Sequence, residues 1–221
     1  MMPSGKKAEP VSRRTEEKER RRLEILECGV RLIAERGLDK FSFGDLAQAT
    51  GLSRPLIYFY FADKEALYRE AVCESHRRLH RLFVEATRAH QSGLEQVTAM
   101  GRSYIEYYQR EPHWFFLCAD YESQPESLTK MDDLGEQIVQ HKRGVMLVIE
   151  GALEKGMRDG SIRPDLGDIK LVGLNLWAFS MGLIQTAGAR RLEIEAVSAV
   201  ASEAMIDQGF ALMRFMLSGK A

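Results

Sequence analysis

Helical periodicity limits the folds open to this sequence more than any other feature. From Leu23 onward, apolar residues recur every three to four positions, as they do on the buried face of an amphipathic helix. No stretch shows the alternation of apolar and polar residues between turn-forming pairs that is typical of a strand. The sequence therefore predicts an all-α fold. The longer helices are expected at residues 63–90, 94–110, 114–121, 126–158, 166–187 and 193–218. The breaks between them are expected at Gly93, Pro112, Pro125, residues 160–164 and Gly188.

The N-terminal third carries the clearest local signals. Residues 1–22 are polar and basic, which predicts a flexible arm that becomes helical near its end. A helix from Leu23 then precedes two very short helices, the first over residues 45–49. Ser42 with Asp45 three residues later is typical of a capping box. The other expected caps and stops are Gly37, Gly51, Ser53 and Asp63, and Pro55 is expected in the first turn of the second short helix.

Two short helices joined by a glycine-containing turn, the second rich in Ser, Arg and Tyr, are typical of a helix-turn-helix. Its second helix must enter the major groove of double-stranded DNA with side chains that reach base edges. The small internal core is expected to comprise Leu46, Ala47, Leu52 and Ile57. Residues 1–64 carry a net charge of +3 and the rest of the chain −4, which fits an anionic partner for the first part.

Each candidate DNA-binding residue has a chemical role. Arg54 can donate two hydrogen bonds to guanine O6 and N7, and Pro55 offers an apolar surface to a thymine methyl. Phosphate contacts are assigned to Ser42, Tyr58, Tyr60 and Lys64. Phe43 and Ser53, at the starts of the two short helices, complete the set through helix N-termini, whose N–H groups bind phosphates. Arg13, Arg14 and Arg20 of the arm could reach an adjacent groove. Phe61 is expected to be core.

Residues 23–67 resemble the DNA-binding region of the TetR family of one-component transcriptional regulators. The resemblance covers "LIAERGLDKFSFGDLAQATGLS" followed by "RPLIYFYFADKEAL", with Gly51, Tyr58, Tyr60-Phe61, Lys64-Glu65 and Leu67 at the family's spacing. Gly44 departs from the pattern, because this first-turn position more often bears a side chain. The resemblance implies a C-terminal helical domain whose central helices enclose a cavity for a small effector, with repression as the usual mode.

Aromatic and methionine side chains crowd the middle of the chain, and an aromatic cavity with few polar groups favours a mostly apolar ligand. The expected effector-binding residues are Met100, Tyr104, Tyr108, Phe115, Phe116, Tyr121, Met146, Trp177 and Met181. The alternative is that these residues form the core of a helical bundle. The expected domains are the arm (1–22), the helix-turn-helix domain (23–67) and an effector-binding and dimerisation domain (68–221).

The last two predicted helices suggest an assembly. Residues 169–187 are apolar nearly all round, and a helix of this kind must be covered on several faces. The final helix repeats apolar residues at helical spacing, namely Ala196, Val197, Val200, Ala204, Met205, Leu212, Phe215 and Met216. Paired with their copies, the two helices would form a four-helix homodimer interface. The alternative is that they complete a monomeric core.

Other classes of protein receive less support. The apolar run Leu171 to Ile184 is shorter than the roughly 20 residues that cross a membrane, so a buried helix is expected there. No signal peptide is expected, and three scattered cysteines fit a cytoplasmic protein. Cys73, His76 and His80 share one helix face, so an all-helical enzyme or metal-binding protein is the alternative, although flanking arginines disfavour a cation. An architectural DNA-binding protein is a third possibility, which the long aromatic body disfavours. No cofactor is expected.

Overall fold

The computed structural model describes residues 13–123, 132–198 and 200–218. Within these ranges the fold is all-helical, as predicted, with ten α-helices, one π-helical segment and no strand. The helices are α1 (Arg13–Arg36), α2 (Phe43–Thr50), α3 (Arg54–Tyr60), α4 (Lys64–Arg88), α5 (Gly93–Arg110), α6 (Pro112–Ser123), α7 (Asp133–Asp159), α8 (Ile169–Leu183), α9 (Arg191–Ser198) and α10 (Ser202–Ser218). The π-helical segment, Ile184–Ala189, continues directly from α8.

The chain divides into two compact units, and the division falls inside α4 between Ala71 and Val72. The predicted boundary after residue 67 lies slightly earlier in the same helix. The predicted arm is already helical from Arg13, and its first 12 residues lie outside the described ranges.

The first unit consists of α1, α2, α3 and the beginning of α4. Its core is fully buried and almost entirely aliphatic, and comprises Ile25, Leu26, Val30, Leu46, Ile57, Phe61 and Leu67. Gly37 ends α1 in the left-handed conformation at φ 78°, as the sequence predicts. Asp63 caps α4, because its carboxylate accepts a hydrogen bond from the Ala66 N–H at 2.7 Å.

The second unit is organised around the crossing of α5 and α7. Ser92 and Glu95 form a capping box at the start of α5, so Gly93 begins this helix and is not the predicted break. A Cβ atom on Gly93 would lie 2.1 Å from the Gly156 nitrogen and 2.4 Å from the Ala152 carbonyl oxygen. Only a residue without a side chain permits this contact between two helix backbones.

The predicted final helix, 193–218, is wrong as a single element, because α9 and α10 are separate. At the end of α9 the Ser198 hydroxyl donates to the Ile194 carbonyl at 2.6 Å and accepts from the Val200 N–H at 3.3 Å. These bonds offer the backbone an alternative to the helix. The predicted break at Gly188 is also wrong, since Gly188 lies in the π-helical segment and leaves room for the Tyr108 ring.

Two further predictions are adjusted by the structure. The helix predicted over 126–158 begins at Asp133, capped by Asp132, and the expected break at Pro125 lies outside the described residues. The run Leu171 to Ile184, expected to be buried, is buried on one side only: Leu171 is 60% exposed. By length and hydropathy, Ile169–Gly188 is the one described stretch that could cross a membrane, and only 28% of its apolar window is buried.

The α5–α7 crossing generates a stability prediction. Gly93→Ala should lower the free energy of unfolding by about 3 kcal/mol, because the new methyl group meets backbone that cannot move aside. Gly151→Ala is the matched control: it adds a methyl group to exposed α7, where nothing lies within 4 Å, and should stabilise by up to about 1 kcal/mol. Chemical denaturation followed by circular dichroism measures both. Equal effects of the two substitutions would contradict this account of the crossing.

Candidate functional site

The angle between α2 and α3 is fixed by a tight turn over a buried pair of side chains. Gly51 ends α2 at φ 69°, a conformation that favours glycine, and the Leu52 N–H donates to the Ala47 carbonyl oxygen at 3.2 Å. Leu46 of α2 and Ile57 of α3 are fully buried. Both belong to the core that the sequence predicts, whereas Ala47 and Leu52, predicted with them, are half-buried.

The start of α2 is a satisfied cap. The Ser42 hydroxyl donates to the Asp45 carboxylate at 2.5 Å and accepts from the Asp45 N–H at 3.2 Å. The bond from Ser42, and then the ion pair with Arg36 at 2.7 Å, hold the pKa of Asp45 below its ordinary value. The single hydroxyl hydrogen of Ser42 is therefore in use, and the predicted phosphate contact would require it to leave Asp45.

Four predicted residues of α3 and its start lie at the surface. Ser53 occupies the N-cap of α3, but its side chain makes no capping hydrogen bond, contrary to expectation. Pro55 sits in the first turn, where its missing N–H costs little. Arg54, Pro55 and Tyr58 are all exposed, and Arg54 makes no hydrogen bond or ion pair with any described residue. The predicted base-reading residues are thus available to a partner.

Phe43 differs from the other predicted DNA-binding residues because its side chain is buried. Its side chain is only 7% exposed, and its ring packs edge-on against Tyr58 at 5.1 Å and against Phe41 at 6.2 Å. Phe43 can therefore offer DNA its backbone N–H but not its ring. The aromatic pair also limits the freedom of Tyr58, whose ring is half in contact with protein. Phe61 is buried, as expected.

Lys64 and Tyr60 hold parts of the first unit together. The Lys64 ammonium donates to the carbonyl oxygens of Leu38 and Asp39 at 3.1 and 3.2 Å, which leaves one of its three N–H groups for a phosphate. Tyr60 is half-buried, and its carbonyl oxygen accepts from Arg22 at 2.9 Å. The predicted phosphate contacts of both residues stay predictions.

Arg22 is a supporting residue that the sequence reasoning missed. Its guanidinium pairs with Glu70, donates to the Tyr60 carbonyl and lies over the Phe61 ring at 4.8 Å from the centroid. It thereby joins α1 to the end of α3 and to α4. In the sequence Arg22 is one of three consecutive arginines, and only its place on the inner face of α1 distinguishes it.

The second unit contains a cavity of about 370 Å³. Five of the nine predicted effector residues line it, namely Tyr104, Phe115, Met146, Trp177 and Met181. Their side chains come from α5, α6, α7 and α8, and Leu79 and Phe83 of α4 add to the apolar lining. The lining rings of Tyr104, Tyr107 and Phe115 belong to an aromatic cluster with edge-on or tilted contacts, which also includes Tyr108 and Phe116 outside the lining.

The other four predicted effector residues lie elsewhere. Met100 lines a hollow of about 30 Å³ that shares Tyr104 and Trp177 with the cavity. Tyr108 lines a separate groove beside α9 and the π-helical segment. Phe116 is exposed and packs on Tyr108, and Tyr121 is buried. Helical spacing could not separate these residues from the lining, since core and cavity walls show the same apolar pattern.

The cavity has a polar side that the sequence reasoning missed. It is formed by Ser75, His76, Tyr107 and Cys118, and Lys142 of α7 also lines the cavity. The Ser75 hydroxyl donates to the Trp114 carbonyl at 3.2 Å, so the Tyr107 hydroxyl donates to Ser75 at 2.6 Å. Burial raises the pKa of Tyr107 far above its ordinary value, so this phenol stays protonated. Polar residues spaced along an apolar helix face are the only sequence signal for this side.

His76 is one of the polar residues that line the cavity. Its Nδ1 donates to the Val72 carbonyl oxygen at 2.9 Å, and the Cys118 sulfur lies 3.5 Å from the same nitrogen. His80 packs on Gly144. Burial, and then the charges of Arg77 and neighbouring histidines, lower the pKa of His141. Among the described residues, no three His, Cys, Asp or Glu side chains are grouped to hold a metal ion.

A short exposed helix, set by a glycine turn on a buried two-residue core, defines the first unit as a helix-turn-helix DNA-binding domain. Residues 25–71 match the family described as bacterial regulatory proteins, tetR family. Over these residues the chain carries the DNA-binding region of this family of transcriptional regulators.

Individual relatives support the same assignment. The transcriptional repressor KstR2 of Mycolicibacterium smegmatis is 24% identical over 152 residues, which are 69% of this chain and 72% of that one. The transcriptional regulator EthR of Mycobacterium tuberculosis is 47% identical over 47 residues, 21% and 22% of the two chains. The structure of FadR from Bacillus subtilis in complex with stearoyl-CoA has a TM-score of 0.70 at 16% identity, covering 90% of this chain and 99% of that one, so it shares the fold.

Proposed function

We propose that this protein is a homodimeric repressor that binds a palindromic DNA operator through α3 and releases it when a small, largely apolar effector fills the cavity. The observation that carries the proposal is the exposed α3 surface: Arg54, Pro55 and Tyr58 face solvent on a helix whose inner side is fixed by buried Ile57. The name of the relative KstR2, a repressor, supports the direction of regulation.

The effector class follows from the two sides of the cavity. A volume of about 370 Å³ lies within the usual range of ligand pockets. Aromatic and aliphatic side chains line most of it, while Ser75 and His76 supply polar groups on one side and Lys142 supplies a charged group to the lining. This arrangement fits an amphipathic molecule with an apolar body and one polar end. FadR, which has the same fold, was solved with such a molecule, stearoyl-CoA.

The dimer follows from exposed apolar side chains on α8 and α10. Leu171, Leu174 and Trp177 follow one another at three-residue spacing on α8 and are all exposed. Leu212, Phe215 and Met216 form a similar face on α10. Exposed apolar patches of this density mark interaction sites. Two such helices from each copy would form the four-helix interface proposed from the sequence.

The switch is proposed to act through α4. This helix belongs to both units, and Ser75, His76 and Phe83 of α4 line the cavity. Two recognition helices must lie about 34–36 Å apart, or a multiple of this, to enter grooves one turn apart. An effector that moves α4 changes this spacing in the dimer. A hundredfold loss of operator affinity requires about 2.7 kcal/mol of coupling, within the usual range for allostery.

DNA binding can be tested with a duplex that the wild-type protein selects from a random library. Its affinity should fall with salt at a slope of about −0.9 log units per phosphate neutralised. Arg54→Ala should cost about 1–3 kcal/mol per half-site and relax the preference at one base pair, because a bidentate contact to guanine is lost. Gel-shift titrations against single-base variants of the duplex measure both effects. Unchanged affinity and preference in Arg54→Ala would exclude Arg54 from base reading.

Assembly can be tested with one charge on α10. Phe215→Lys should convert the dimer to a monomer, because a lysine in an apolar interface is costly to bury without a partner. The exposed position, at 52%, lets the variant protomer fold. Leu192→Lys on α9, a position that is 81% exposed and outside both faces, should leave the dimer intact. Light scattering gives the mass of each variant, and a monomeric wild-type protein would contradict the dimer.

The cavity can be tested by filling it. Met146→Trp should weaken the binding of stearoyl-CoA or shorter acyl-CoA thioesters by at least about tenfold, equivalent to 1.4 kcal/mol. Leu147→Trp is the matched control, since the neighbouring side chain on α7 is exposed and does not line the cavity. Calorimetric titrations give the affinities, and gel shifts show whether DNA is released. Normal release of DNA by Met146→Trp would place the effector elsewhere.

A further inference from the structure

The Arg54 side chain packs against Gly44 in the first turn of α2, where there is no side chain. Gly44 is the second residue of that helix, and a Cβ atom built on it would lie 2.6 Å from Arg54 Nη2 and 3.2 Å from Arg54 Cζ. The same Cβ atom would lie 3.4 Å from the Ser42 hydroxyl oxygen. The guanidinium therefore occupies space that any other residue at position 44 would fill.

No ion pair within the described part of the chain holds Arg54 in this place. The carboxylate on the same helix as Gly44, that of Asp45, is already bonded by Arg36 at 2.7 Å and by Ser42 at 2.5 Å. Arg54 is thus located by packing against Gly44, and none of its five N–H donors is bonded to a described residue. An arginine that makes no hydrogen bond within the protein can donate two hydrogen bonds to one base.

We infer that Gly44 is a positioning residue for DNA reading: its missing side chain sets where the Arg54 guanidinium meets the operator and so which base pair is preferred. This rests on the proposed function, in which α3 reads DNA.

Folding does not require glycine at position 44. Gly44 lies in a helix and is absent from the residues with positive φ, which are Gly37, Gly51, Gly160 and Gly167. Alanine in a helix is more favourable than glycine. The atoms closest to the new methyl group belong to the end of a flexible side chain, which can move aside. Folding and DNA reading should therefore respond to Gly44→Ala in opposite directions.

The test is a double-mutant cycle on the full chain with wild type, Gly44→Ala, Arg54→Ala and the double variant. The probe is the duplex that the wild-type protein selects from a random library, with a single-base variant at each position. We expect Gly44→Ala to weaken binding about tenfold and to change the preference at the same base pair that Arg54→Ala relaxes. In the Arg54→Ala background, Gly44→Ala should have no further effect on binding. The melting temperature of each protein that carries Gly44→Ala should equal or exceed that of the same protein without this substitution.

Gly151→Ala is the control, since it makes the same chemical change in a helix with no neighbour within 4 Å and should leave DNA binding unchanged. Effects of Gly44→Ala that simply add to those of Arg54→Ala would overturn the inference while leaving the proposed function intact. A lowered melting temperature that accounts for the weaker binding would also overturn it. If the wild-type protein selects no duplex, the proposed function itself fails, and the inference fails with it.

Discussion

The backbone contact between α5 and α7 at Gly93 is the constraint on which the second unit depends. It brings the two helices closer than any side chain would allow, and each then extends along one side of the cavity. Tyr104 and Tyr107 follow on α5, and Val145 and Met146 on α7. The separation of the two helices is set at one point, so the space between them is a property of the backbone more than of the lining.

The first unit holds the short helix α3 in place and leaves the outer face of this helix exposed. Leu46 and Ile57 supply apolar burial, and Arg22 adds bonds to the end of α3 and to Glu70. Several candidate phosphate ligands already have partners within the protein, and Lys64 is one of them. Arg54, the candidate base-reading residue, makes no hydrogen bond to a described residue.

The sequence predicts helix caps and helix ends that depend on bonds between residues close together in the chain. Ser42, Gly51 and Asp63 cap or end helices through bonds within four residues, and the structure has them as predicted. Features that depend on distant neighbours were beyond such reasoning. Gly93 and Gly188 looked like breaks, but each makes room for a group far away in the chain. For the same reason the apolar pattern predicted five lining residues of the cavity and not its polar side.

Trp177 connects two features that are otherwise separate. It lines the cavity, yet it is also part of the exposed apolar face of α8. In the proposed dimer, one wall of the cavity would therefore be completed by contact with the partner subunit. Ligand affinity would then depend on protein concentration, because dilution below the dimer dissociation constant leaves this wall open to water. The protein would sense its own abundance together with its effector.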